Sequence, residues 1–149
     1  MSAELPATST LPVAPVLLQV GDEMPSTTIG PLTRTDFVRY AGASGDLNPI
    51  HYDEPMAQAA GMPSVFGMGM LHAGMLAMRL ARWVGPDNLR SYRARFTGQV
   101  WPGDELTLTG RVAGVEQRDG TALAQIELSV VSQRDEQVLR AEASAVVAP

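Results

Sequence analysis

The chain reads as an α+β domain in which an antiparallel sheet wraps around one long buried helix. Three observations predict this. Residues 69–84 form a single apolar run of helical length, closed by Gly85-Pro86. Beyond Pro86, apolar and polar residues alternate with period two in four stretches, the mark of strands with one buried face. Helical segments therefore gather in the first half and strands in the second, as in α+β proteins. With 149 residues the chain is one domain, long enough to bury a real core.

Residues 1–15 are rich in Pro, Ser and Thr and are expected to form a flexible tail ahead of a domain spanning residues 16–149. They carry no basic region followed by an apolar core, so no signal peptide is expected. The apolar run at residues 16–20 is expected to lead into a first strand, continued by Thr27, Thr28 and Ile29 up to Gly30-Pro31. Thr33 caps a helix, and Asp36 returns the bond, a capping box with Asp in the place of Glu. Phe37, Val38, Tyr40 and Ala41 supply its apolar residues and Gly42 is its expected end. A second short helix is expected over residues 54–60, with Pro55 early and Gly61 as its stop.

The long helix at residues 69–84 is roughly 24 Å at 1.5 Å per residue. Its polar residues, His72, Arg79 and Arg82, gather on one side at helical spacing. A helix this apolar is expected to be buried, and its two arginines and modest length argue against a membrane span. Tyr92, Ala94 and Phe96 then alternate with Arg93 and Arg95. The same alternation recurs through residues 106–112, 124–130 and 139–147, with turns at residues 118–120 and 133–136.

Composition excludes several chemistries. The formal charge of −5 gives no electrostatic support to nucleic-acid or anionic-membrane binding. No cysteine is present, so there is no disulfide, thiolate nucleophile or cysteine zinc site, in keeping with a cytoplasmic location. All eleven basic residues are arginine, which rules out a Schiff-base lysine and a P-loop lysine. Gly67-Met68-Gly69 lacks the glycine spacing of a dinucleotide site, and Gly42-Ala43-Ser44-Gly45 is not a nucleophile elbow.

The chemistry concentrates in residues 44–51, where Ser44, Gly45, Asp46, Asn48, Pro49 and His51 share one turn-forming segment. A turn between Asp46 and His51 folds a carboxylate toward an imidazole, a unit that moves protons to and from water. Spacing alone leaves a second reading open, since Asp and Asn also serve turns by bonding nearby backbone amides. A calcium loop is disfavoured, because its sixth position is His51 rather than Gly and its twelfth is Ala57 rather than Glu.

Tyr40, Ser44-Gly45-Asp46-Leu47-Asn48-Pro49-Ile50-His51 and Ala57 together resemble the signature of the MaoC-like (R)-specific hydratases and dehydratases. Residues 32–36, Gly69-Met70-Leu71 and Trp101-Pro102-Gly103-Asp104 extend the resemblance over most of the chain. Within that family the chain is most similar to the catalytic-subunit type of mycolic-acid (3R)-hydroxyacyl-ACP dehydratases. The resemblance implies a hotdog fold and hydro-lyase activity on trans-2-enoyl thioesters of CoA or acyl carrier protein, in fatty-acid metabolism. It implies Asp46 and His51 as the catalytic pair, the Gly69 backbone N–H as oxyanion donor and Asn48 as a substrate-binding residue. No metal and no cofactor beyond the substrate's own CoA or phosphopantetheine is implied.

The resemblance further implies side-by-side pairing of two hotdog chains, which also closes the open sheet edge. A homodimer is the expected form, with a second hotdog subunit as the alternative. The chain departs from the family at Met68, where histidine is frequent, and at Ala77, where a polar residue is frequent. Two further functions compete: a hotdog thioesterase, and a non-catalytic acyl-binding subunit of a heterodimer. His72 reads as packing or a polar seam. The methionines 62, 68, 70, 75 and 78 read as core, or as the lining of an acyl tunnel. Arg90, Arg93 and Arg95 read as a solvated strand face, with CoA phosphates as the alternative partner.

Overall fold

The computed structural model describes residues 11–149. Of the tail expected over residues 1–15, residues 1–10 lie outside the described residues. Pro12 and Ala14 already meet the folded domain: the carbonyl of Ala14 accepts a bond from the buried Asn88 side chain, 3.3 Å. The elements are β1 (Glu23–Ile29), α1 (Arg34–Ser44), α2 (Glu54–Ala59), α3 (Gly69–Val84), β2 (Leu89–Phe96), β3 (Leu106–Arg118), β4 (Thr121–Ser132) and β5 (Gln137–Val147). Single 3-10 turns lie at Pro49–His51 and Pro86–Asn88.

The sheet is antiparallel throughout, in the order β1-β3-β4-β5-β2. Its period-two pattern sorts side chains into two faces. Val112, Ile126, Ala143 and Tyr92 stand in one register row across β3, β4, β5 and β2, and the first three are buried. Ala141, Ala143 and Ala145 on the inner face of β5 are short, which leaves room for the helix above. α3 lays Ala73, Leu76, Leu80 and Val84 onto this face. This is the hotdog layout, a sheet curled around one central helix.

The sheet reaches only one side of α3. Met70 and Met78 on the opposite side are 61% and 41% exposed, so the helix expected to be buried is covered on one side. The apolar run at residues 16–20 also differs from its expected place in the first strand. Val16 instead accepts a bond from the Ala148 N–H, 2.8 Å, and Leu17 bridges in parallel to Ala148. Gly21, with φ of 95°, then turns the chain, so β1 begins at Glu23.

The capping box at the start of α1 is formed. The Asp36 N–H donates to Thr33 Oγ1 (3.2 Å) and the Thr33 N–H donates to Asp36 Oδ2 (2.8 Å). Hydrogen bonds from the Thr33 hydroxyl and N–H hold the Asp36 carboxyl below its ordinary value. Gly42 does not end this helix. It continues to Ser44 and stops at Gly45, whose φ of 76° lies in the left-handed region that glycine enters without penalty. α2 is capped by Asp53 and carries Pro55 in its first turn. Arg34 pairs with Glu54 at 2.7 Å, which ties the start of α1 to α2.

Candidate active site

The segment after Gly45 is a chain of side-chain-to-backbone bonds. Ser44 Oγ donates to the Tyr40 carbonyl (2.7 Å) and accepts from the Asp46 N–H (3.2 Å). Asp46 Oδ1 accepts from the Asn48 N–H and Asn48 Oδ1 accepts from the Ile50 N–H, each at 3.3 Å. The Tyr52 hydroxyl donates back to the Leu47 carbonyl at 2.8 Å and closes the loop. These are Asx-type turns, in which short polar side chains substitute for backbone partners. The turn-forming role and the carboxylate–imidazole contact are carried by different oxygens of Asp46. Oδ1 holds the turn, and Oδ2 faces His51.

His51 sits on the 3-10 turn and is 8% exposed. Its Nδ1 lies 2.7 Å from the Phe66 carbonyl oxygen, and its ring meets the Phe66 ring edge-on at 5.0 Å. A carbonyl oxygen only accepts, so Nδ1 carries the proton and, in the neutral ring, Nε2 is an acceptor. Nε2 stands 3.7 Å from Asp46 Oδ2. Two acceptors do not bond each other, and this separation suits a shared water that gives one proton to each. The water's lone pairs are then left free to point away from both.

Gly69 is the first residue of α3, and Met68 before it provides no side-chain cap. The Leu71 N–H donates to the Met68 carbonyl at 3.0 Å, and the Gly69 N–H lies at the positive end of the helix dipole with no side-chain cap. Phe66 lies three residues upstream, so the carbonyl that fixes the His51 tautomer belongs to the segment leading into α3. The space beside Gly69 is taken by the Phe96 ring. A Cβ there would stand 2.8 Å from the Phe96 ring. Gly67 is anchored by its N–H to the Val100 carbonyl at 2.7 Å, and a Cβ on it would meet the Phe37 ring at 3.0 Å.

Asn48 lies next to the pair with its side-chain oxygen engaged as a cap. His72 is 2% exposed, and neither ring nitrogen has a partner among the described residues. Its ring is edge-on to Phe96 at 5.9 Å, and burial pushes its pKa down to about 4. Arg93 and Arg95 stand in register with Glu142 and Arg140, on the sheet face away from α3. Arg90 donates to the Asp87 and Leu89 carbonyls.

Two supports carry little signal in the sequence. The Phe66 carbonyl is a backbone group, so no residue type announces it. Asp104, 2% exposed, accepts from the Trp101 N–H, from Gln133 and from both terminal nitrogens of Arg134 at 2.5 and 3.0 Å. Burial alone would raise its carboxyl; the Arg134, Trp101 and Gln133 bonds outweigh this and hold it below its ordinary value. Trp101 packs edge-on to Phe66 at 6.0 Å, which links this anchor to the wall of the His51 pocket.

Among known proteins, the chain is 35% identical over 100 residues to the 3-hydroxyacyl-thioester dehydratase Y of Mycobacterium tuberculosis, covering 64% of this chain and 33% of that protein. It is 34% identical over 114 residues to a fatty acid synthase subunit beta of Aspergillus oryzae, covering 72% of this chain and 5% of that protein. It thus spans a third or less of these relatives' length. The unliganded R-hydratase PhaJ1 of Pseudomonas aeruginosa superposes with a TM-score of 0.72 at 28% identity, over 89% of this chain and 83% of that one. The ChsH1-ChsH2 complex of Mycobacterium tuberculosis contains a chain of the same fold, with a TM-score of 0.76 at 20% identity over 89% of this chain and 100% of that one. Among the described residues no helix is long and apolar enough to cross a membrane. Residues 18–133 match the family described as MaoC like domain, and with most of its length inside that match the chain belongs to the MaoC-like dehydratase domain family.

Proposed function

We propose that the protein is a hydro-lyase of fatty-acid metabolism that reversibly hydrates trans-2-enoyl thioesters to (3R)-hydroxyacyl thioesters. The observation that carries this reading is the facing pair of acceptors, His51 Nε2 and Asp46 Oδ2, 3.7 Å apart. In the forward direction a water donates to both and presents its oxygen to C3 of the enoyl group. One of the pair takes a proton as the C–O bond forms, and a proton returns from the pair to C2. Delivery of oxygen and hydrogen from one face is a syn addition. Positioned proton transfer of this kind supplies about 10²–10⁴-fold.

Negative charge gathers on the thioester oxygen as the enolate forms. The Gly69 N–H at the start of α3 is suited to receive it. Asn48 holds the turn through its oxygen and would offer its amide nitrogen to the substrate. The reaction as proposed draws on no metal or redox group, and CoA or phosphopantetheine enters as part of the substrate. The protein is read as cytoplasmic and as working in a two-chain assembly. The printed names of the mycobacterial dehydratase and the Pseudomonas R-hydratase support the same chemistry.

The test follows the absorbance of the conjugated enoyl thioester with crotonyl-CoA and a long-chain enoyl-CoA. A fall in absorbance that is lost in Asp46→Asn and in His51→Ala supports hydration by the pair. Turnover unchanged in both variants overturns it, and release of free thiol with the conjugation intact replaces it with a thioesterase.

A further inference from the structure

Three separate segments meet in the facing pair. α1 leads into the turn that carries Asp46, the 3-10 turn before α2 carries His51, and the stretch before α3 carries the Phe66 carbonyl, 2.7 Å from His51 Nδ1. That carbonyl keeps the proton on Nδ1 and so leaves Nε2 an acceptor. Yet residues 62–68 belong to no helix or strand. No backbone ladder sets where the Phe66 carbonyl points, so isolated bonds must do it.

One anchor lies in the same peptide unit. The Gly67 N–H donates to the Val100 carbonyl at 2.7 Å, but a planar unit held at one end can still swing about that bond. The second anchor comes from a side chain. Glu54 Oε2 accepts from the Val65 N–H at 3.4 Å, from the Ser64 hydroxyl at 3.2 Å and from Arg34 Nη1 at 2.7 Å. Arg34 also donates to Ser64 Oγ at 3.3 Å. Arg34 opens α1, and Glu54 opens α2 three residues after His51. A single carboxylate oxygen therefore ties together the three segments that build the pair.

Stability gives this convergence little reason. The Arg34 and Glu54 side chains are 52% and 34% exposed, and ion pairs with that much solvent around them add little to folding. Both helices already have their own caps, Thr33 for α1 and Asp53 for α2. Val65 is fully buried, so apolar packing holds the segment in the fold whether or not its N–H is bonded. What packing does not set is the rotation of the peptide units that follow Val65. The bond from Arg34 holds the Glu54 carboxyl below its ordinary value, which keeps it an acceptor at neutral and alkaline pH.

We infer that Glu54 is a positioning residue for the reaction: by bonding Val65 and Ser64 it keeps the Phe66 carbonyl on His51 Nδ1, and so keeps Nε2 an acceptor facing Asp46. Glu54 acts through the backbone, and its effect is on which nitrogen of His51 carries the proton. The inference rests on the proposed hydration. Its test also reads the His51 tautomer, which needs no turnover, so the two conclusions fail separately.

The chain has two histidines, so His72→Leu leaves the His51 ring as the sole imidazole signal in nitrogen NMR. In that background at alkaline pH, His51 is expected to be protonated at Nδ1, and Glu54→Ala is expected to give a mixture of the two tautomers. With crotonyl-CoA, Glu54→Ala is expected to lower kcat by about 10–10²-fold, with KM and the melting temperature little changed. Glu54→Gln keeps an oxygen for the Val65 N–H and is expected to restore the Nδ1 tautomer and most of kcat. An unchanged tautomer in Glu54→Ala overturns the inference, whether or not the chain hydrates crotonyl-CoA. So does a wild-type kcat in Glu54→Ala, or a loss of kcat that merely follows a large fall in melting temperature.

Discussion

A methyl group on Gly69 would stand 2.8 Å from the ring of Phe96, across the gap between the start of α3 and the end of β2. The two residues are matched in size: one has no side chain because the other fills its place. Gly69→Ala therefore forces the ring aside, at a cost of about 1 kcal/mol from overpacking. Phe96→Ala in that background is expected to cancel most of this additional cost. A double-mutant cycle by thermal denaturation measures the coupling, and additive effects would show that the ring swings away freely.

The bonds of Asp46 separate folding from chemistry. Asn at position 46 keeps an oxygen able to accept from the Asn48 N–H, but presents an amide donor or a weaker acceptor to the shared water. Asp46→Asn is expected to lower the hydration rate by about 10²–10⁴-fold while the melting temperature stays within a few degrees of wild type. A large loss of stability would instead assign Asp46 mainly to the turn.

His72 ties stability to pH. Burial lowers its pKa from 6.5 to about 4 in the folded chain, so the unfolded chain binds a proton first as pH falls. The native state is therefore fully favoured above pH 6.5 and loses stability as pH falls from there to about 4. The loss from this residue is up to about 3 kcal/mol. Denaturation at pH 7.5 and pH 4.5 measures it, and His72→Leu is expected to shrink the difference. Equal pH dependence in the two proteins would remove His72 as its source.

Asp104 behaves in the opposite sense to an isolated buried acid. Its bonds to Arg134, Trp101 and Gln133 hold it ionised, so its contribution is present above the ordinary carboxylate range and lost as pH falls below it. Asp104→Asn removes the Asp104 carboxylate from Arg134 and is expected to lower stability. The effect should reach the pocket through Trp101 and Phe66, and urea denaturation together with the hydration rate would detect both. A neutral substitution would show that Arg134 is served well enough by Glu136.

Much of the fold is legible locally. Thr33 and Asp36 lie three apart and cap each other wherever a helix starts between them. Gly85 and Pro86 end α3 by their own backbone limits. The alternation through residues 124–130 and 139–147 specifies two half-buried strands before any partner is known. The end of α1 is less legible, because Gly42 and Gly45 are both plausible stops by residue type. Gly42 stays helical at an exposed position where a Cβ would meet nothing within 4 Å, whereas Gly45 takes the left-handed turn.

The sequence by itself determined the element types, the central helix and the turn that brings Asp46 toward His51. These depend on periodicity and on bonds within a few residues, and such interactions are fixed by neighbours in the chain. Only the tertiary structure decided that Phe66 offers its carbonyl to His51, that Phe96 covers Gly69, and that Arg134 pairs with Asp104. Each depends on which strands pair and in what register. A shift of one residue turns every side chain of a strand to the other face, so these contacts become readable only once the whole sheet has closed around the helix.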